Sequence, residues 1–326
     1  MLLRNEVLAV LERNRGQSVS GEEIAKGLGV SRGAVWKAVR ALREEGYRIE
    51  AANNRGYRLG QDNDLLSAEG IRAQMDAGCR GLNVLVFDVL DSTNNEAKRL
   101  IAGGAPLPLL VVADAQTGGR GRLGRSFYSP PGAGAYLSFA LDSGKNPVTA
   151  TTAAAVAVVR AIDGLAGLPV QIKWVNDIYL YNKKVCGILT EAITNPKTGR
   201  IEQIVVGVGV NVSPGDFPEE LKHRAAALGL PSFSRAALIA AIADHLVDIL
   251  GSETPASYMD EYRARSMVIG KPICYCKNDG TFIQATALNV DDAGGLLVEH
   301  LDGTRLTLRT GEITLRLGSG QAAAPL

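Results

Sequence analysis

At 326 residues, with 46% hydrophobic and 21% charged residues and a net charge of +1, the chain is long enough for two or three domains around a sizeable core. No apolar run approaches the roughly 20 uninterrupted residues of a membrane span, and the start MLLRNEVLAVLERNRG is too charged to read as a signal peptide. Cys79, Cys186, Cys274 and Cys276 lack paired CxxC spacing, which argues against a zinc site or a disulfide framework and makes the cytoplasm the expected compartment. The charge is uneven. Residues 1–60 hold 11 Lys and Arg against 7 Asp and Glu, and the remaining 266 hold 24 against 27, so a polyanion is expected to meet the head alone.

The head, residues 1–63, reads as four elements. LLRNEVLAVLERN carries Leu3, Val7, Val10 and Leu11 on one helical stripe. SGEEIAKGLG follows, with Ser20 as N-cap, Glu23 at capping-box distance and Gly29 as breaker. Ser31 then caps SRGAVWKAVRALREEG, where Val35, Val39 and Leu42 form the buried stripe and Lys37 and Arg40 point away. YRIEAANNRGYRL reads as two short strands around an Asn-Asn-Arg-Gly turn. Helix, tight turn, basic helix and hairpin make a winged helix-turn-helix, whose third helix would bring Ser31, Arg32, Lys37 and Arg40 to the bases or phosphates of DNA. The bland alternative is a protein-binding three-helix module with solvated arginines.

From Asp64 onward the texture is mixed. NVLVFDVLDSTN is a strand ending in a polar turn, and the helix NEAKRLIAG follows; LPLLVVADAQ and GAYLSFAL are strands. TATTAAAVAVVRAIDGLAG is a long helix, VQIKWVNDIYLYNKKVCGILTEAI a long hairpin, IEQIVVGVGVNVS a strand and SRAALIAAIADHLVDILGS a late helix. Strands follow one another directly, which predicts an α+β mixed sheet.

Polar motifs interrupt these strands. DSTN (91–94) suits the ring edge of a small polar ligand, or simply an N-cap. GGRGRLGR places Arg120, Arg122 and Arg125 among Gly119, Gly121 and Gly124. Mutual repulsion and glycine entropy oppose its ordering, so it reads either as a solvated loop or as a clamp closed by an anion. KWVND (173–177) sets Lys173, Asn176 and Asp177 beside Trp174; an amide–carboxylate pair suits Mg²⁺ on a nucleotide, and a salt-bridged strand end with a core indole is the alternative. In KKVCGILTE, Lys183 takes the solvent face and leaves Lys184 facing inward, three residues before Gly187. GVGVN (207–211) offers close backbone approach and Asn211 as a polar contact.

Taken in order, DSTN, Q-x-x-GRGRxGR-x-x-x-SP, YLS, KWxND-x-Y, K-x-x-GIL-x-E and G-x-G-x-N resemble the biotin protein ligases. With the winged head in front, the chain is similar to the bifunctional form, ligase and biotin operon repressor in one polypeptide. The resemblance runs from near residue 5 to GEITLR at 311–316. Val175 departs from it, standing where proline is usual, and so does Phe127, where tryptophan is common.

The resemblance implies an α+β chain in three domains: a winged helix-turn-helix (1–63), a mixed-sheet class II synthetase-like ligase domain (64–268) and a C-terminal SH3-like β-barrel (269–318), with a disordered tail (319–326). It implies that biotin's carboxylate attacks the α-phosphate of MgATP, and that a lysine of a biotin carboxyl carrier domain then takes biotin from biotinyl-5′-AMP. Lys184, Arg120 and Arg122 would be catalytic. Ser92, Thr93, Asn94, Gln116, Arg120, Gly121, Arg122, Lys184 and Gly187 would bind biotin. Arg120, Arg122, Trp174, Asn176, Asp177, Lys184 and Asn211 would bind ATP, with Asn176 and Asp177 toward Mg²⁺. Biotin as co-repressor, operator DNA, a homodimer favoured by the adenylate, and no membrane complete the expectations. A lipoate ligase and a DNA-binding biotin sensor with little ligase activity are the alternatives; GRGRxGR and the head speak against the first, and retained Lys184, Arg120 and Arg122 against the second.

Overall fold

In the computed structural model, the described residues are 2–315 apart from 53–54, 62, 80, 143–145, 214, 216, 230–233, 253, 278–279, 310 and 312. The expected disordered tail and the Asn53–Asn54 pair of the wing turn lie outside the described residues.

In the head, α1 (Leu3–Arg13) buries Val7, Leu8 and Leu11. The stripe is therefore turned slightly from the expected one, with Leu3 and Val10 half-buried against the core edge and Leu8 inside. A two-residue strand β1 (Ser18–Val19), invisible in the sequence, leads to α2 (Gly21–Leu28). Ser20 caps α2 by accepting from the Glu22 and Glu23 amides, and Gly29 ends it at a left-handed φ of 67°. Helix α3 (Arg32–Glu44) starts at Ser31, whose hydroxyl accepts from the Ala34 amide, and buries Val35, Ala38, Val39 and Leu42. Strands β2 (Ile49–Ala52) and β3 (Gly56–Leu59) form the wing, and β1 joins it in the order β1-β3-β2.

A short helix α4 (Ala68–Gln74), capped by Ser67, was not expected from the sequence, since seven residues hold too few turns to display a period. It receives the head. Glu12 of α1 is 1% exposed and ion-paired with Arg15, and a Cβ on Gly70 of α4 would stand 3.1 Å from the Glu12 carboxylate. Burial raises the Glu12 carboxyl above its usual range, with Arg15 pulling the other way.

The central sheet has seven strands in the order β4-β5-β6-β10-β9-β8-β7. These are β4 (Asn83–Leu90), β5 (Leu109–Gln116), β6 (Gly134–Asp142), β7 (Gln171–Lys173), β8 (Asp177–Leu180), β9 (Lys183–Thr194) and β10 (Ile201–Asn211). Only β4 and β5 run parallel, so the sheet is mixed, as expected. The long hairpin expected after residue 169 is instead three strands. A turn at 174–176 splits its first arm, and Tyr181 and Asn182, with φ of 47° and 64°, make the tight turn between β8 and β9. Helix α5 (Thr93–Ala102) covers one face through Ala97. The other face carries α6 (Pro147–Ala166), α7 (Arg235–Ser252) and α8 (Pro255–Ala264), the last also unread in the sequence. Among the described residues α6 is the one helix long and apolar enough to cross a membrane, and it lies in this core with both Ala- and Val-rich sides buried.

The last strands are β11 (Pro272–Cys276), β12 (Phe282–Val290), β13 (Leu296–His300), β14 (Arg305–Leu308) and β15 (Ile313–Leu315). They form an antiparallel sheet in the order β14-β13-β12-β11-β15. Its ends, β14 and β15, do not pair among the described residues, so the sheet is open where a closed barrel was expected.

Arg235, 4% exposed at the start of α7, ties the segment after the head to the central sheet. It donates to the Asp64 carboxylate and carbonyl, the latter at 2.8 Å, and to Asp114 on β5 at 2.6 Å. Removing it strands two carboxylates, but these keep 39% and 31% exposure, so the cost falls toward the low end for a broken buried pair. Arg235→Met should lower unfolding free energy by about 2–3 kcal/mol, read as a lower urea midpoint at an unchanged slope; an unmoved midpoint would refute the tie.

Candidate active site

Seven polar side chains that the core would normally exclude are buried after β4, before and within β6, before β8 and at the end of β10: Ser92, Thr93, Asn94, Ser129, Ser138, Asn176 and Asn211. Burying such groups is costly unless they pair, and here they pair largely with one another. Gln116 Oε1 accepts from the Thr93 amide at 2.8 Å, while its amide donates to Ser129 Oγ at 2.9 Å. Ser138 Oγ lies 2.7 Å from Thr93 Oγ1 and 2.6 Å from Asn94 Oδ1. Asn94 donates to Glu191 Oε2 at 2.8 Å, and Lys98 holds the other Glu191 oxygen at 2.6 Å. The DSTN motif thus lies across the first turn of α5, with Ser92 in the N-cap position but making no side-chain cap bond.

Above this floor is a cavity of about 270 Å³, roomy enough for a small organic ligand. Two glycines let the walls close in. A Cβ on Gly207 would fall 2.2 Å from Asn94 Oδ1, and one on Gly209 would fall 2.6 Å from the Phe127 ring. Phe127, the departure noted in the sequence, packs over Gly187 and Gly209 and meets Tyr136 edge-on at 6.4 Å. The arginine loop returns as a hairpin: Gln116 pairs with Ser129, Phe127 N donates to Gly119 O at 2.8 Å, and Gly121 N to Arg125 O at 2.7 Å. A Cβ on Gly119 would strike Phe127 O at 2.5 Å. Leu123, at the tip, has φ 55° and is 77% exposed.

Charge sets the character of the cavity. Among the described residues, Arg120, Arg122, Arg125, Lys173, Lys184 and Arg224 line it against a single carboxylate, Asp177. Arg122 is strung between Asn176 Oδ1 at 3.1 Å and Gly311 O at 2.9 Å, so the C-terminal segment helps to hold it. Lys184 Nζ stands 2.6 Å from Asp177 Oδ1 in an ion contact without hydrogen-bond geometry. Lys183, its neighbour, donates instead to Lys222 O at the surface. Trp174 is buried and donates to Gly294 O at 2.9 Å, while its peptide to Val175 is cis. Trp174 is therefore both a core indole and a lining residue, satisfying both sequence readings.

Every residue expected to bind biotin or ATP lines this one cavity. Asn176 is the exception to its expected chemistry. Its amide donates to Ile188 O at 2.8 Å and its oxygen accepts from Arg122, so both ends are engaged and it braces the site rather than presenting a metal ligand. Asp177 fits Mg²⁺ better, being the one carboxylate among the described lining residues, although its Oδ1 faces Lys184, which would have to make room. One carboxylate plus substrate phosphates is a usual Mg²⁺ environment, and the described residues hold no cluster of three His, Cys, Asp or Glu that would bind a metal unaided. Asn211 donates to Ala226 O at 3.1 Å, pinning the segment that carries Arg224. Sequence reading missed Ser138 and Glu191, although YLS and the last Glu of K-x-x-GIL-x-E contain them. It also missed Arg224, which no motif marks.

In the head, Ser31, Arg32, Lys37 and Arg40 are all exposed along α3. Ser31 is engaged as the N-cap, and Arg40 pairs with Glu44 at 3.0 Å, which leaves Arg32 and Lys37 as the residues best matching their expected role.

Comparison with known proteins finds matches to both the head and the region of the cavity. A model of the biotin/lipoate A/B protein ligase family matches residues 86–211, and one of an HTH domain matches residues 3–58. The chain is 36% identical to the bifunctional ligase/repressor BirA of Bacillus subtilis over 320 residues, covering 93% of this chain and 96% of that one. It is 31% identical to the BirA of Escherichia coli over 314 residues, covering 92% and 94%. Among solved structures it is similar to the biotin protein ligase from Aquifex aeolicus in complex with biotin and ATP, with 27% identity and a TM-score of 0.60, over 72% of this chain and 99% of that one.

Glu191 gives the site a pH signature. Burial raises its carboxyl, but Lys98 and Asn94 outweigh burial and bring it below its ordinary 4.5. A depressed carboxyl stabilises the fold in full above its unfolded pKa and loses that contribution as pH falls through the folded value. The stability gap between the wild type and Glu191→Gln should therefore be constant above about pH 4.5 and close below it, measured by urea midpoints across pH. A gap that persists unchanged in acid would remove Glu191 from the network.

Proposed function

The chain belongs to the biotin/lipoate A/B protein ligase family, and we propose that it activates biotin as biotinyl-5′-AMP and passes the biotin to a lysine of a biotin carboxyl carrier domain. It is a biotin protein ligase with a repressor's DNA-binding head. The observation that carries the catalytic reading is a cavity whose described lining holds six cations and one carboxylate, standing over a buried polar floor.

The first step brings a carboxylate against a polyphosphate. A carboxylate oxygen of biotin bonds to the α-phosphorus, the bond to the β-phosphate bridging oxygen breaks, and pyrophosphate leaves. Two anions must meet, so positive charge placed in advance lowers the barrier. Lys184, held by Asp177, takes the position between carboxylate and α-phosphate, and Arg120 and Arg122 flank it. Mg²⁺, held by Asp177 and the nucleotide's phosphates, would supply further neutralisation there. Thr93, Asn94 and Gln116 meet biotin's polar ring, with Ser92 and Gly187 beside it and Gly121 near its carboxylate. Trp174, Asn176 and Asn211 shape the nucleotide side. In the second step an amine of the carrier attacks the acyl carbon, AMP leaves and the amine loses a proton. The arginine hairpin covers the mixed anhydride and keeps water from it.

We assign residues 1–63 to the winged head, 64–268 to the ligase domain and 269–318 to an SH3-like barrel whose seam between β14 and β15 is unpaired among the described residues. Support for the last is the β11 strand pairing with both β12 and β15 in a five-stranded antiparallel order. An adenylate-favoured homodimer would use β4, the sheet's edge strand, where Val89 is 58% exposed.

The deciding experiment incubates the protein with MgATP, a carrier domain and labelled biotin or labelled lipoate. Protein-bound biotin label is expected; lipoate transfer instead would overturn the substrate, and no transfer of either would leave a biotin sensor. Lys184→Ala should slow pyrophosphate release by about 10²–10³-fold, the scale for one electrostatic donor. Near-normal release would remove Lys184 from the mechanism.

A further inference from the structure

Of the two tryptophans in the chain, Trp174 is 3% exposed while Trp36, on α3 of the head, is 53% exposed. An indole is among the largest apolar surfaces a side chain can offer, and leaving half of one in water is unfavourable unless something covers it. Trp36 lies beside the buried stripe of Val35, Ala38, Val39 and Leu42, on the flank of α3 that reaches solvent. Its neighbours on the exposed side are basic: Arg32, Lys37 and Arg40 are exposed, and the first turn of α3 contains no acid.

Two features suit this face to a groove lined by phosphates. Gly33 precedes Trp36 by three residues, nearly one helical turn, and a Cβ there would meet nothing closer than Ser31 Oγ at 3.9 Å. The helix is thus bare where it would come nearest the groove floor, and Trp36 projects just beyond. Arg40, one turn later, lies 5.9 Å from the indole centroid and is itself anchored by Glu44. A guanidinium within cation–π reach of the ring favours the rotamers that keep the two together. Arg40 thus faces both Glu44 and the indole.

We propose that Trp36 is a sequence-reading residue of the head, whose ring covers thymine methyl groups in the major groove while Arg32 and Lys37 meet phosphates. The thymine methyl is the one apolar group that base pairs present there, and apolar side chains read it by contact. This rests on the repressor reading of the head.

The test uses full-length protein with biotin and MgATP, and duplexes recovered by the wild type from a random pool. Each thymine of a recovered duplex is replaced in turn by deoxyuridine, which lacks only the methyl. At one or more positions per half-site the wild type should lose about fourfold in affinity, the value of one buried methyl-sized group. Trp36→Ala should bind the parent duplex more weakly and show no further loss at those positions, and Trp36→Phe should keep part of it. Undiminished binding by Trp36→Ala, or the same deoxyuridine penalty in both proteins, would overturn the inference and leave Trp36 to a protein partner. A wild type that binds duplexes but feels no deoxyuridine anywhere would overturn it alone, whereas one that recovers no duplex would overturn the repressor reading with it.

Discussion

Positive charges gathered before their anion arrives repel one another, so other contacts must hold them in place. Here that holding is done by groups that are themselves buried or backbone. Lys184 leans on Asp177, the sole carboxylate among the described residues that line the cavity. Arg122 is strung from Asn176 to Gly311, and Asn176 is locked in turn to Ile188 O. The arginine hairpin therefore depends on the strands below it and on the C-terminal segment above it. Disturbing either would release a cation that the others repel.

The polar floor imposes the second condition. Thr93, Asn94, Gln116, Ser129 and Ser138 satisfy one another, which makes them rigid as well as affordable inside an apolar sheet. Asn94 reaches its position only because Gly207 has no side chain, and Phe127 can cover the site only because Gly209 has none. The glycines of GVGVN are thus fitted to the protein's own side chains, where the sequence suggested approach by a ligand.

Head and body share a short, tightly bonded junction. Arg15 binds Glu12 and the Asn63 carbonyl, the Arg48 amide donates to Asn63, and Arg235 grips Asp64 from the far side. Asp114, the other partner of Arg235, lies on β5, two residues before Gln116 and the arginine hairpin. A ligand that rearranged the hairpin would thus act on the strand that anchors the junction. That is a physical route for coupling of the usual 1–3 kcal/mol between ligand and DNA.

The main elements of the head, most strands of the central sheet and most of the polar lining of the cavity were legible in the amino-acid sequence, because each rests on local chemistry. Ser20 and Ser31 cap helices by reaching two or three residues along the chain, and Gly29 ends one by its own backbone freedom. Polar motifs at strand ends stand out because apolar strands surround them. Other features depend on residues far apart in the chain. That Asn176 spends both ends of its amide on Arg122 and Ile188 could not be read from KWVND. Nor could the burial of Glu12, the short α4 that causes it, the engagement of Arg40 with Trp36, or the open edge between β14 and β15. Sequence determines which groups a segment offers; only the folded chain decides which partners those groups have already taken, because pairing across tens or hundreds of residues follows from packing and leaves no local period to read.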